Sequence, residues 1–263
     1  MSQRSIKIKR SCLFKLAVSA RVMSLLLASL VCVVLLSTDA YPQRKRRAQV
    51  AGSRQAVVVD ERLAALREDA RLTARLVQRL SRGRIVSLIG TRRGGNDGLN
   101  YYRVAVTRRT RGWLPVDAVV SPARAGDDEK LLRLIRGSEE FDRLARARIF
   151  LDNFPRSPLR PAVLLLLGDE AKQAAAKLSR DAVRRLDERE MAAGGAPLDS
   201  YFLNFNELDR YNKQGITFVF DGAAKRYHYD GESWREIVRR HPRSLEAAEA
   251  RKRLDAQVAF VAR

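Results

Sequence analysis

Apolar residues along this chain first run unbroken, then alternate with polar ones, and then recur at helical spacing. Val22 to Leu36 is an uncharged stretch of 15 residues. Residues 41–59 are polar and basic up to the short run Ala56–Val59 and predict a flexible linker. Between about 60 and 122 the apolar runs are short and separated by turn residues. "RIVSLIG" (84–90) predicts a strand, "GGNDG" (94–98) a turn, and "GWLP" (112–115) a further strand. In "YYRVAV" (101–106), alternation sets Tyr102, Val104 and Val106 on one face and Tyr101, Arg103 and Ala105 on the other. Several strands in so short a span, with no helical period, predict a small β-barrel.

From Asp127 onward the period lengthens. Leu131, Leu134 and Ile135, then Phe141, Leu144, Ala145 and Ile149, recur as on helices, with a break expected at Gly137-Ser138 and a stop at Phe154-Pro155. Ser157 and Pro158 then stand as the expected N-cap and first residue of a further helix. "AVRRLDERE" (182–190) reads as another helix, followed by a Gly194-Gly195 break. In "GITFVFDGAAKRYHYDG", strands 216–220 and 225–229 are expected to alternate around Asp221-Gly222, a hairpin inserted between helices.

The net charge of +21 suggests a nucleic-acid partner until it is divided along the chain. Residues 123–263 carry 27 basic and 23 acidic side chains, so the excess lies in the first 122 residues. Part of it precedes the run Val22–Leu36, which ends in "STDA" with Thr38 and Ala40 placed as at a cleavage site. A cationic start, a short apolar core and a small-residue exit are the parts of a secretory signal. The core is short of the roughly 20 residues a spanning helix needs, and retention as an N-terminal anchor is the alternative. Both cysteines, Cys12 and Cys32, lie in this segment, so the mature chain is expected to lack thiol chemistry.

The ordered set Leu66-Arg67, Leu80…Gly83, Ile85-Val86-Ser87-Leu88, Tyr102-Arg103-Val104, Gly112-Trp113-Leu114 and Val119 resembles a bacterial SH3 domain over about 55 residues. Tyr102 stands where Trp is commoner, and Glu68-Asp69-Ala70 departs from the family's opening loop. Downstream, Pro155 and Pro242, Ser157 and Ser244, and Leu167 and Leu254 all stand 87 residues apart, with Phe150-Leu151 matching Ile237-Val238. This turn resembles the tetratricopeptide-like repeats of bacterial envelope proteins. Adjacent repeats of that kind are about 34–40 residues apart.

Candidate chemistry is sparse. His228 and His241 are the two histidines; hairpin decoration and packing in the repeat turn account for them better than catalysis. "GTRRGGNDG" lacks the Lys-Ser/Thr ending of a phosphate loop, and no metalloprotease, nucleophile-elbow or calcium-loop motif occurs. No active site, metal or cofactor is expected. Binding fits better: Trp113 as the aromatic floor of a groove, Tyr101 and Tyr102 with one buried and one exposed, and Arg103 and Arg111, with Arg108 and Arg109, facing an acidic partner.

The expected fold is therefore multidomain. It comprises a signal or anchor (1–40), a basic linker (41–59), an SH3-like barrel (60–122) and a mainly α-helical, tetratricopeptide-like domain (127–263) with a β-hairpin at about 216–230. The expected function is a non-enzymatic scaffold of the periplasm or cell envelope that binds a protein or a peptide, such as that of peptidoglycan, and touches membrane only through its N-terminal segment. The alternatives are a peptidoglycan-targeting accessory protein and a basic nucleic-acid binder, the latter expected to be retained in the cytosol with a steep salt dependence.

Overall fold

A computed structural model describes residues 54–95, 97–186, 191 and 194–261, all within one unit. The expected signal segment, most of the expected linker and residues 187–190 of the expected helix lie outside the described residues. Seven strands form one antiparallel sheet: β1 (Gln55–Val58), β2 (Ala65–Arg67), β3 (Leu76–Arg79), β4 (Ile85–Arg93), β5 (Asn100–Ala105), β6 (Arg111–Pro115) and β7 (Val119–Val120). Their order across the sheet is β3-β2-β6-β5-β4-β1-β7, and a 3₁₀ turn, Val116–Ala118, leads into β7.

β1 occupies part of the stretch expected to be linker, so the sheet begins at Gln55 rather than near residue 60. The physical reason is that both faces of this strand are buried. Ala56 and Val58 point into the core enclosed by the sheet with Leu66, Val86, Val104 and Leu114. Val57 and Val59 point the other way, into the core of the helical layer. β7 divides in the same manner, Val119 inward and Val120 toward the helices, as do Val86 and its neighbour Ile85. A run of consecutive β-branched residues is what a strand buried on both sides requires.

The helices are α1 (Asp127–Arg136), α2 (Glu140–Asn153), α3 (Arg160–Arg185), α4 (Leu198–Leu203), α5 (Leu208–Gln214), α6 (Glu232–Arg240) and α7 (Glu246–Val261), with hairpin strands β8 (Phe218–Asp221) and β9 (Arg226–Tyr229) before α6. α1 ends at Gly137 and α2 at Phe154, where the periodicity predicts. α3 begins at Arg160, two residues later than expected, with Pro161 in its first turn. Ser157 does not act as the N-cap of that helix. Its hydroxyl accepts from the Leu159 N–H (3.2 Å) and donates to Asp128 (2.7 Å), closing a turn ahead of it. The hairpin connection is also longer than a two-residue turn. Residues 222–225 form it, with the Asp221 carboxylate accepting from the N–H groups of Ala223 and Ala224 (3.0 and 3.1 Å).

The 87-residue repeat has a structural counterpart in matching hydrogen bonds. Phe154 donates to Phe150, Ser157 to Phe154 and Arg160 to Ser157; His241 donates to Ile237, Ser244 to His241 and Ala247 to Ser244. The helix pair α2–α3 thus turns as α6–α7 does. α6 packs on α3, so the two pairs are neighbours in space although α4, α5 and the hairpin separate them in sequence. The close approach is set by Gly168: a Cβ there would lie 2.3 Å from the Trp234 indole nitrogen.

Polar links reinforce the sheet–helix junction. Arg146 of α2, buried, donates to the Val59 carbonyl (3.2 Å) and to the Ser138 hydroxyl (2.5 Å), with Asp60 at 3.7 Å. Arg82, between β3 and β4, bonds Asp142 of α2 at 2.8 Å, and this bond holds the Asp142 carboxyl below its ordinary range. On the other side, buried Asp127 accepts from the Ser121 N–H (2.7 Å), while the Ser121 hydroxyl donates to the Gln55 carbonyl (2.6 Å).

Val57→Ala is expected to lower stability by about 2 kcal/mol through the cavity it leaves between sheet and helices. Val219→Ala, at a side chain 55% exposed on the hairpin, should change it by less than about 0.5 kcal/mol. Urea unfolding of the two variants measures the contrast; equal costs would contradict the shared core.

Candidate functional site

The outer face of the seven-stranded sheet gathers the residues singled out from the sequence. β6 lies between β5 and β2, so Trp113 faces Arg103 on one side and Arg67 on the other. Arg111 stands one pleat further along β6, opposite Ala105. Inner positions of the same strand, Gly112 and Leu114, are buried. Gly112 is needed because β2 comes close: a Cβ there would lie 2.6 Å from the Arg67 carbonyl and 2.8 Å from Leu66. Trp113 is half-buried, and the Arg92 guanidinium lies 5.8 Å from its ring centre, within cation–π range.

These arginines are not equivalent. Arg67 donates to the Ala74 carbonyl (2.6 Å), and Arg92 pairs with Asp69 (3.0 Å). Arg103 and Arg111 are exposed, and among the described residues neither has a carboxylate within ion-pair distance. The face therefore offers an aromatic surface with two unneutralised cations beside it, an arrangement suited to carboxylates on a partly apolar ligand.

One expectation for this face is corrected. Tyr101 and Tyr102 do point to opposite faces, but neither is exposed, at 0% and 9%. Tyr102 belongs to the core enclosed by the sheet and its hydroxyl accepts from Arg124. Tyr101 lies under two loops that close over the outer face, beside Ala70 and Gly94. Its hydroxyl donates to Asp97, whose carboxylate also accepts from the N–H groups of Leu72 (3.3 Å) and Leu99 (3.1 Å). Burial, and then the Asp97 carboxylate, push the Tyr101 phenol up to about 12. Both tyrosines are thus structural, and Trp113 is the aromatic ring of the set that meets solvent.

A second surface was not anticipated. α3, β9 and α7 enclose a half-open apolar cleft of about 510 Å³. Its walls include Ala176 and Ala256, and its floor is made by Tyr227, Tyr229 and Trp234, all buried. The polar groups of the two floor tyrosines are satisfied internally, whereas the buried Trp234 indole N–H has no hydrogen-bond partner among the described residues. Tyr227 donates its hydroxyl to the Phe202 carbonyl (2.6 Å) and its N–H to the Ser179 hydroxyl (2.9 Å). Gln257 donates to the Tyr229 carbonyl (2.6 Å), and the Tyr229 hydroxyl accepts from the Ser233 N–H (2.9 Å). Burial raises the Tyr227 and Tyr229 phenols to about 12, so both stay neutral at physiological pH. The sequence signal for this cleft is the run "QAAAK" on α3: Ala174 and Ala175 are buried, and the small side chain of Ala176 at a solvent-facing position leaves room that a longer one would fill.

His228, on the strand between the two floor tyrosines, borders the cleft and is 3.9 Å from Asp221, and His241 caps the end of α6. Among the described residues no group of three His, Cys, Asp or Glu side chains could hold a metal ion, and no helix is long and apolar enough to cross a membrane.

Trp113 should report the local field. Iodide is expected to quench its fluorescence roughly two-fold more efficiently than caesium at low ionic strength, because the surrounding guanidinium groups concentrate anions. Trp113→Phe should abolish the difference, since Trp234 is buried; equal quenching by both ions would contradict the geometry. No protein-family model, curated protein or solved structure matches this chain.

Proposed function

We propose that this protein is a non-enzymatic adaptor of the bacterial cell envelope. In this reading an SH3-like barrel and tetratricopeptide-like helices jointly bind a protein or cell-wall peptide. The barrel assignment is supported by the pairing of β1 with both β4 and β7, the β2–β3 excursion beside β6, and the 3₁₀ turn before the last strand. The helical assignment is supported by the matched turns of α2–α3 and α6–α7, whose large sequence separation is accounted for by the inserted α4, α5 and hairpin.

The observation that carries the binding role is Trp113 held at the surface between Arg67 and Arg103. The ring supplies apolar area at low entropic cost, and the unpaired Arg103 and Arg111 supply charge for peptide or stem-peptide carboxylates. Export follows from the cationic start, apolar core and small-residue exit at residues 1–40.

The test uses the full chain in its native cells with a photo-crosslinking residue at position 103. The protein is expected in the envelope fraction, with its crosslinks to a protein or a peptidoglycan fragment lost in Trp113→Ala. A cytosolic protein that retains its first residues would overturn the envelope assignment, and crosslinks to nucleic acid would overturn the ligand class.

A further inference from the structure

The cleft beside the hairpin is the feature that the barrel face leaves unexplained. Its walls are apolar, and its mouth is cationic at both ends. Lys172 lies at one end of the α3 wall, and Arg180 and Arg226 lie at the other. Lys172 and Arg180 are eight residues apart on one helix, which is about 12 Å, or two turns. Among the described residues none of these three cations has a carboxylate within ion-pair distance. Several other cations on these helices are paired: Arg253 with Asp169 (3.0 Å), Lys252 with Glu249 (3.0 Å), and Arg160 with Glu236 (2.8 Å).

We infer that this cleft seats an amphipathic helix of a partner protein, whose apolar stripe is flanked by carboxylates about two turns apart. The inference rests on the adaptor reading only in taking the partner to be a protein.

Three features of the cleft select this occupant. An extended peptide would need main-chain partners, yet on the β9 edge facing α3 the Tyr227 N–H is taken by Ser179 and the Tyr229 carbonyl by Gln257. A helix satisfies its own backbone and needs only an apolar trough. The small side chains of Ala176 and Ala256 leave room for larger apolar anchors, and about 510 Å³ holds two or three of them. Cations at both ends complement carboxylates at both ends of such a stripe. A single-chain lipid carries one anionic head and would leave one end uncompensated.

Fluorescence anisotropy of the full-length protein with two synthetic helical peptides of about 14 residues tests this. Both carry the same leucine stripe at positions i, i+3, i+4 and i+7; one is flanked by glutamates and the other by lysines. The acidic peptide should bind at least about tenfold more tightly than the basic one. Ala176→Glu, at an exposed position of α3, should weaken acidic-peptide binding by about tenfold or more by filling and charging the trough. The double variant Arg180→Glu/Arg226→Glu should reverse the preference and bind the lysine-flanked peptide better. That gain of binding cannot come from a misfolded chain. Equal affinity for both peptides, or acidic-peptide binding indifferent to Ala176→Glu, would overturn the inference. Saturable palmitate binding without peptide binding would assign the cleft to an amphiphile instead. If the cleft fails these tests while position 103 still crosslinks an envelope partner, the adaptor reading survives without it.

Discussion

The architecture depends on one strand being buried on both faces. β1 and the residue after it place Ala56 and Val58 in the sheet's own core and Val57 and Val59 in the helical core. Each fully buried valine contributes roughly 1.5–3 kcal/mol through apolar area removed from water. Because successive residues of β1 serve different cores, the strand cannot slip by one position without exchanging both sets. β7 repeats the device with Val119 and Val120, so the β7-β1-β4 edge of the sheet forms the base on which the helices are laid. Polar groups then fix the direction of that packing. Arg146 reaches the Val59 carbonyl from α2, and Ser121 and Asp127 bind the start of α1 to the end of the sheet.

This base positions the surfaces to which function is assigned. With β7, β1 and β4 committed to the helices, the opposite side, formed by β2, β6 and β5, is left to solvent, and there Trp113 stands between arginines. In the helical layer the insertion of α4, α5 and the hairpin puts β9 against α3, and the alternation of Tyr227, His228 and Tyr229 turns two tyrosines inward to make a floor. The cleft is thus a product of insertion: neither helix pair has it alone. Gly168 lets Trp234 lie against α3, and the alanines beside it keep the space above the floor open.

Local pattern carried the strands and most helix limits. Alternation in "YYRVAV" separates its faces correctly, and the breaks at Gly137 and Phe154 fall where apolar spacing stops. The 87-residue echo of Pro155 and Pro242 survives as matched hydrogen bonds because the turn is a local object whose donors and acceptors lie within four residues. What sequence does not reveal arises from distant contacts. "AVVV" reads as the end of a linker until its second face finds α1 and α2. One of the two tyrosines reads as exposed because the loops that cover Tyr101, near Ala70 and Gly94, join through Asp97 and Leu72, 25 residues apart. The cleft is hidden for the same reason, since its walls come from residues 172–180, 226–234 and 256–257.

The central claim is that sheet and helices fold as one unit through β1. The chain has two tryptophans, and they fall on opposite sides of that junction: Trp113 in the seven-stranded sheet and Trp234 in the helical layer. Equilibrium urea unfolding followed by fluorescence in Trp234→Phe, which reports only the sheet, and in Trp113→Phe, which reports only the helices, measures the coupling directly. Each curve is compared with far-ultraviolet circular dichroism of the same variant, which reads the whole chain. The account predicts that within each variant the two probes superimpose with one midpoint and one slope. A sheet transition separated from the helical one would contradict it.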